Sequence, residues 1–293
     1  MTDDPRWPRA SEWLVCATAP ASVPDLGLLG VPAHLTSISP TSAHLTPAAV
    51  RGALARYSTW VESAGADLRD LRAVDLGDVA DPDGEAGEMR TSGVLAQWRG
   101  RLLVALGGDN SITYAVARAM SATGMVTLDA HHDVRDGMSN GSPVARLVES
   151  GMDGRAIVQI GISDFANSRE YAARARDYGI TIIGRDEVAG RGMVSVMEQA
   201  LQIAGRGEGP RVHVDLDVDV CDRAVAPACP ASVPGGLSAY ELRQAARAAG
   251  ADRRVVSIDL AEVDVTADTA DQRTVRLMAL CVLEAAAGLL LRD

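Results

Sequence analysis

Six apolar runs of strand length alternate with segments of helical spacing, and this alternation restricts the fold more than any other feature. The runs are 102–106, 125–128, 156–160, 180–183, 212–216 and 255–258, and segments such as 112–120, 169–178, 194–204 and 239–248 separate them. Strands that are apolar throughout indicate a parallel sheet covered by helices on both faces. We therefore predict an α/β fold in a single domain over residues 1–293, with 1–25 as a polar N-terminal extension.

The composition excludes several classes of function. A net charge of −11 without a basic stripe argues against nucleic-acid and anionic-membrane partners. All 28 basic residues are arginine, which excludes Schiff-base, pyridoxal-phosphate and P-loop lysines. The apolar segment 275–291 contains Arg276 and Glu284, so it is predicted to be a buried terminal helix and not a membrane span. The N-terminus does not resemble a signal peptide, and we expect a cytoplasmic protein.

Three of the predicted strands lead into polar sequence. These sequences are GGDN at 107–110, DAHHD at 129–133 and DLDVD at 215–219. In open α/β sheets, ligands bind beyond the carboxyl ends of the strands. The three clusters are therefore expected to converge on one site.

The spacing within the clusters points to metal ligands. On an extended strand, Asp129, His131 and Asp133 face one side, and Asp217 and Asp219 repeat the arrangement. Carboxylates held this close repel one another and take up protons unless a cation lies between them. Oxygen-rich ligation with one imidazole suits Mn²⁺ better than a metal that prefers thiolates. Two such ions can hold a bridging hydroxide that is nucleophilic near neutral pH.

Other roles are open for several of these residues. A single Asp-x-Asp pattern usually belongs to a solvated loop, but two acid clusters at strand ends favour metal binding. Alternation turns His132 away from the ligands, so it is either a residue that supports them from behind or a core histidine, and Asp215 is either a buried structural acid or a further ligand. Glu262 follows the last strand and either reaches the site or is a capping or surface acid. The SNGSP segment at 139–143 indicates a turn before a helix.

The motifs resemble those of the ureohydrolase family, which comprises arginases, agmatinases and formimidoylglutamases. GGDN is similar to the family's first metal motif GGDH, DAHHD matches the second, and DLDVDVCD at 215–222 resembles the third. DLAEVD at 259–264 resembles the segment with the family's substrate-orienting glutamate. The resemblance runs from about residue 30 to the C-terminus and implies an arginase-like three-layer αβα sandwich with a mostly parallel sheet of about eight strands.

The resemblance also implies a site with two Mn²⁺ ions per chain. Asp129, His131, Asp217 and Asp219 would bind one ion, and Asn110, Asp129, Asp133 and Asp217 would bind the other. Asp133 would pass a proton to the departing nitrogen, and Glu262 would hold the amidine nitrogens. Asn110 stands where the family has a histidine. Because an amide oxygen is a weaker ligand for Mn²⁺ than imidazole, we predict that this site is looser and partly occupied.

Within the family, the sequence most resembles formimidoylglutamases. Arg135 lies two residues beyond DAHHD, the SNGSP turn follows, and QIGISDFANS at 159–168 resembles the corresponding formimidoylglutamase loop. N-formimidoyl-L-glutamate carries two carboxylates, so its pocket should contain a cation; Arg135 is the first candidate and Arg223 the second. An ion pair with Asp133 or Asp136 is the alternative role of Arg135. Asn140 replaces the histidine that arginases use as a proton carrier, and it is a candidate substrate-binding residue.

The leading hypothesis is therefore a Mn²⁺-dependent hydrolase that converts N-formimidoyl-L-glutamate and water to L-glutamate and formamide, a reaction of histidine degradation. One alternative keeps the mechanism but takes a guanidino compound and releases urea. Another is a family member that binds metal or ligand without turnover, as Asn110 and Asn140 suggest. The resemblance implies a small-molecule substrate and a homo-oligomer, either a trimer or a hexamer.

Overall fold

The computed structural model describes residues 4–16 and 23–292, and a nine-stranded sheet forms its centre. Its strands are β1 (Val15–Cys16), β2 (Leu26–Val31), β5 (Ala73–Asp78), β6 (Leu102–Gly107), β7 (Gly124–Leu128), β8 (Ile157–Ile162), β9 (Thr181–Gly184), β10 (Val212–Asp217) and β11 (Val255–Ala261). The remaining strands, β3 (Trp60–Val61) and β4 (Ala66–Asp67), form a short antiparallel hairpin.

The strand order across the sheet is β1–β5–β2–β6–β11–β10–β7–β8–β9, and every neighbouring pair is parallel. The predicted parallel sheet is confirmed. It has eight strands of four residues or more and the two-residue β1 at one edge. Besides the six predicted strands, the sheet contains β1, β2 and β5. The strand β5 is buried only at its start, and its later residues include Asp75 and Asp78, which pair with Arg51.

Helices cover both faces of the sheet. They are α1 (Thr46–Leu54), α2 (Gly84–Leu95), α3 (Ile112–Ala119), α4 (Pro143–Glu149), α5 (Arg169–Asp177), α6 (Arg185–Arg191), α7 (Met193–Ala204), α8 (Ala239–Ala251) and α9 (Arg273–Leu289). Helices α1 and α6–α9 share one core with Leu102 and Val104 of β6, whereas α2 and α3 pack on Leu103 and Ala105 of the same strand. Alternate residues of one strand thus enter opposite cores, which explains its unbroken apolar sequence.

The terminal segments pack against this three-layer sandwich. In α9, Glu284 is buried and pairs with Arg243 and Arg247 at 2.6 Å each, as the prediction of a buried terminal helix requires. No helix among the described residues has the length and apolar character needed to cross a bilayer. Within the segment predicted as an N-terminal extension, Trp13 is buried and its indole donates to Leu71 O at 3.1 Å, so this part of the chain is fixed to the domain.

Candidate active site

The four strands that precede the polar motifs lie side by side at the centre of the sheet, in the order β6–β11–β10–β7. Because they are parallel, their carboxyl ends meet at one edge, where a cleft of about 200 Å³ opens. Seven of the nine predicted site residues line this cleft: His131, Asp133, Arg135, Asn140, Asp217, Asp219 and Glu262. The other two, Asn110 and Asp129, are buried and bond to lining residues.

Five of the predicted metal ligands form two overlapping groups. Ligand atoms of Asp129, His131 and Asp219 lie within 4.8 Å of one another, and so do those of Asp129, Asp133 and Asp217. Asp129 belongs to both groups, as a carboxylate shared by two ions would. His131 Nδ1 lies 2.7 Å from Asp219 Oδ2 and 3.4 Å from Asp129 Oδ1.

The backbone that brings these ligands together is not extended, and on this point the strand-alternation argument is wrong. Strand β7 ends at Leu128, and Asp133 has a φ of 51°. The carboxylate of Asp129 accepts from the His131 amide at 2.6 Å, and that of Asp217 accepts from the Asp219 amide at 2.8 Å. Such Asx turns bend each segment just after its strand, and the bend turns the second carboxylate or imidazole back towards the first.

The electrostatics of the cluster match a divalent cation. Burial, followed by the repulsion of neighbouring carboxylates, raises the pKa values of Asp129 and Asp217 well above the usual range. Burial also raises the pKa of Asp133 to about 7. Asp129 Oδ2 is buried and has no hydrogen-bond partner among the described residues. A cation would supply that partner and remove the repulsion, so the donor set fits hard divalent ions such as Mn²⁺.

His131 is the one nitrogen donor in the cluster. Burial lowers the pKa of His131 because it disfavours the charged form. The hydrogen bond to Asp219 and the charges of the surrounding carboxylates outweigh this effect and raise the pKa of His131 to about 9. Without a metal the imidazole is thus protonated and paired with Asp219. A metal ion that binds here displaces this proton.

Asn110 lies against the cluster with its amide group held on both sides. Its Nδ2 donates to Asp133 Oδ2 at 2.9 Å, and its Oδ1 accepts from Thr113 Oγ1 at 2.7 Å. The nitrogen therefore faces the carboxylates while the oxygen, which would bind a cation, faces the helix α3. The role of Thr113 was missed from the sequence, because a threonine in the first turn of a helix carries no distinctive signal.

Glu262 follows β11 and is a buried cleft residue, not a surface acid. Its Oε1 accepts from the backbone N–H of Asn110 at 2.7 Å and from Asn140 Nδ2 at 2.8 Å. Burial, with the nearby charge of Asp109, raises the pKa of Glu262 to about 8. The backbone φ of 67° is unfavourable for a residue with a side chain. A buried, strained carboxylate fixed by two donors is a group prepared to meet a cationic ligand.

Arg135 lies at the mouth of the same cleft and is exposed. No carboxylate of the described residues lies within 4.0 Å of its guanidinium, and Asp136 pairs with Arg174 at 2.6 Å instead. The alternative of an ion pair with Asp133 or Asp136 is therefore wrong. The second candidate cation, Arg223, donates to Cys229 O and binds the 229–232 loop rather than lining the cleft.

Two other polar residues of the motifs lie outside the cleft. His132 is buried, and its Nδ1 bonds to Gln159 Oε1 at 2.7 Å, which confirms its prediction as a core residue. Asp215 is fully buried in β10 and accepts from Thr127 Oγ1 at 2.8 Å. It is a structural acid beneath the site and does not line it.

Comparisons with known proteins agree with this architecture. The chain is 35 % identical over 261 residues to a formimidoylglutamase of Halalkalibacterium halodurans, covering 84 % of this chain and 82 % of the relative. It is 33 % identical to a guanidinopropionase of Pseudomonas aeruginosa, covering 84 % and 80 %. The crystal structure of Bacillus subtilis formimidoylglutamase superposes with a TM-score of 0.90 at 29 % identity, covering 100 % of this chain and 95 % of the other. The family model described as "Arginase family" matches residues 24–288, and the chain belongs to that family.

Proposed function

We propose that this protein hydrolyses N-formimidoyl-L-glutamate to L-glutamate and formamide at the cleft described above. The observation that carries the proposal is the placement of an acidic and a basic group in one cleft: the buried carboxyl group of Glu262, and the guanidinium of Arg135, which has no acidic partner among the described residues. The substrate has the complementary pattern, with an amidine at one end and carboxylates at the other. The similarity to formimidoylglutamases over most of the chain supports the same substrate.

The cluster beneath the cleft would hold two Mn²⁺ ions. Asp129, His131, Asp217 and Asp219 would bind one, and Asn110, Asp129, Asp133 and Asp217 the other. Three members of each set have ligand atoms within 4.8 Å of one another, namely Asp129, His131 and Asp219 in the first and Asp129, Asp133 and Asp217 in the second. When bound, the ions lower the pKa of water and make a nucleophile available near neutral pH.

The protein's own groups bind the substrate and move protons. The Glu262 carboxylate would accept charge-assisted hydrogen bonds from the amidine nitrogens, which fixes the formimidoyl carbon above the cluster. Water adds at that carbon, and the bond between the carbon and the glutamate nitrogen breaks. Asp133, which lines the cleft, would carry the proton that the departing nitrogen needs.

A guanidino acid is the second candidate substrate, and the similarity to a guanidinopropionase favours it. Such a compound also has a cationic end for Glu262 and a carboxylate for Arg135. The two reactions differ in their products, because a guanidino substrate releases urea and a formimidoyl substrate releases formamide.

The test is product analysis after loading the purified protein with Mn²⁺. Formimidoylglutamate, guanidinobutyrate, arginine and agmatine are offered separately, with the Asp217→Asn variant as the inactive control. Formamide and glutamate from the first substrate support the proposal. Urea from another substrate moves the assignment to the guanidino acids, and no product from any of them favours a binding protein without turnover.

We further propose that the enzyme is cytoplasmic and assembles as a trimer or hexamer. Light scattering coupled to gel filtration measures the assembly directly. A monomeric mass at micromolar concentration would contradict it.

A further inference from the structure

Two neighbouring residues of the 139–142 turn contact the two charged groups of the cleft. Asn140 donates to Glu262 at 2.8 Å, and its Oδ1 accepts from the Ile38 amide at 2.9 Å. Gly141, the next residue, is buried beneath the side chain of Arg135, whose backbone amide donates to Gly141 O at 2.9 Å. One short turn thus sets the positions of both the carboxylate and the guanidinium.

The absence of a side chain at Gly141 is what leaves room for Arg135. A Cβ at this position would lie 2.8 Å from Arg135 Cδ and 3.1 Å from Arg135 Nε. It would also lie 3.0 Å from Ile38 Cδ1. These distances are shorter than van der Waals contact, so a methyl group would push the arginine side chain out of its position. The φ of Gly141 is outside the left-handed region, so the backbone itself accepts alanine.

Helix α5 also lies against Arg135. The guanidinium carbon of Arg135 lies 5.7 Å from the centre of the Tyr171 ring, which also lines the cleft. Ser168 caps the helix by accepting from the Tyr171 amide at 3.1 Å, so the ring projects from a fixed first turn. One turn later, Arg174 donates to Val134 O at 2.8 Å and fixes the backbone beside Arg135.

We propose that Gly141 and Tyr171 are positioning residues that hold Arg135 at a set distance from Glu262. Arg135 and Glu262 together then select linear amidines that have a remote carboxylate. The identity of the substrate in this inference rests on the proposed function, whereas the positioning role of Gly141 and Tyr171 does not. A guanidinium that has no acidic partner among the described residues, and that lies near a glycine and an aromatic ring, is available to bind a carboxylate with two of its nitrogens. Cation–π contact with Tyr171 restricts its motion without neutralising its charge.

The first test compares kinetic constants and ligand binding for Gly141→Ala, Arg135→Gln and the double variant. Loss of a charge-assisted contact predicts that KM for formimidoylglutamate, and Kd for L-glutamate by calorimetry, rise about 10- to 100-fold in each single variant. Because Gly141 acts through Arg135, the double variant should be no worse than Arg135→Gln alone. The losses should appear in KM and Kd more than in kcat, and they should be larger for formimidoylglutamate than for formamidine, which has no carboxylate.

Gly93→Ala is the matched control, because an added Cβ there has no atom within 4 Å and the residue itself is exposed on α2. At the aromatic ring, Tyr171→Phe should retain the wild-type KM, whereas Tyr171→Leu should raise it. Equal losses with formamidine and formimidoylglutamate, or additive effects in the double variant, would overturn the proposal.

The proposed function and this inference fail separately. If the wild-type protein releases no formamide, the substrate assignment is wrong, and the glutamate Kd still tests the role of Gly141. If glutamate does not bind to the wild-type protein, or binds equally to Gly141→Ala, then the inference is wrong even when formimidoylglutamate is hydrolysed.

Discussion

The orientation of the Asn110 amide leads to a quantitative prediction about metal content. Its oxygen accepts from Thr113 and its nitrogen donates to Asp133, so the amide must turn over before the oxygen can bind Mn²⁺. Turning it breaks two hydrogen bonds, each of which contributes about 0.5–1.5 kcal/mol. The penalty of about 1–3 kcal/mol corresponds to Mn²⁺ binding about 5- to 150-fold weaker at this site than at a preorganised one.

The perturbations are Asn110→His, which replaces the amide with an imidazole ligand, and Thr113→Val, which removes the donor that holds the oxygen away. The assay is the Mn²⁺ content per chain after dialysis, by elemental analysis, together with activity as a function of free Mn²⁺. We expect about one tightly held ion in the wild-type protein, and a second that is retained better in both variants. The control variant is Ala119→Ser, at the far end of the same helix, α3. Thr123→Val is not suitable as a control, because residue 123 lies after the helix ends. If the dialysed wild-type protein retains two ions, or if neither variant changes the content, then the reasoning from the amide orientation is wrong.

Three further predictions follow from the same site. His131 and Asp133 have pKa values raised to about 9 and about 7, so both hold protons in mildly acidic solution. Because Mn²⁺ binding releases these protons, Mn²⁺ affinity should increase from about pH 6.5 to about pH 8.5. Calorimetry in two buffers of different ionisation enthalpy measures the number of protons released. Glu262→Gln keeps a similar shape but removes the charge, so kcat/KM should fall about 10- to 100-fold with unchanged Mn²⁺ content; unchanged kinetics would exclude amidine binding by this residue. Gly108→Ala places a Cβ 1.8 Å from Ala33 O, and this clash should lower the free energy of unfolding by about 1–3 kcal/mol in denaturant titrations. Gly190→Ala is the control and should not lower it, because a Cβ there meets no atom within 4 Å.

Much of the fold follows from local patterns in the sequence. The strands β6, β7, β8 and β10 begin and end within about two residues of their predicted bounds, because each begins in an apolar run and is followed by polar residues. By contrast, β5 was missed, since Asp75 and Asp78 interrupt any apolar pattern. Their pairing with Arg51 of α1 stabilises the strand, and a contact between distant residues leaves no local pattern.

The site shows the same division. The residue types and their positions at strand ends are written in the sequence, and they are enough to predict a cluster of carboxylates and one imidazole at a single edge of a parallel sheet. The convergence itself comes from Asx turns at Asp129 and Asp217, and not from the predicted strand alternation. An Asx turn and an extended strand place alternate side chains differently, but the same amino-acid sequence is compatible with either conformation.

The sequence alone therefore determined the fold class, the residues that could bind a metal and the family resemblance, because these depend on residue type and on spacing along the chain. Tertiary structure decided which way the Asn110 amide faces, that Arg135 has no acidic partner among the described residues, and that Gly141 lies beneath it. Each of these depends on which distant side chains compete for the same donor, acceptor or space. That competition is settled only when β6, β7, β11 and α5 are packed together.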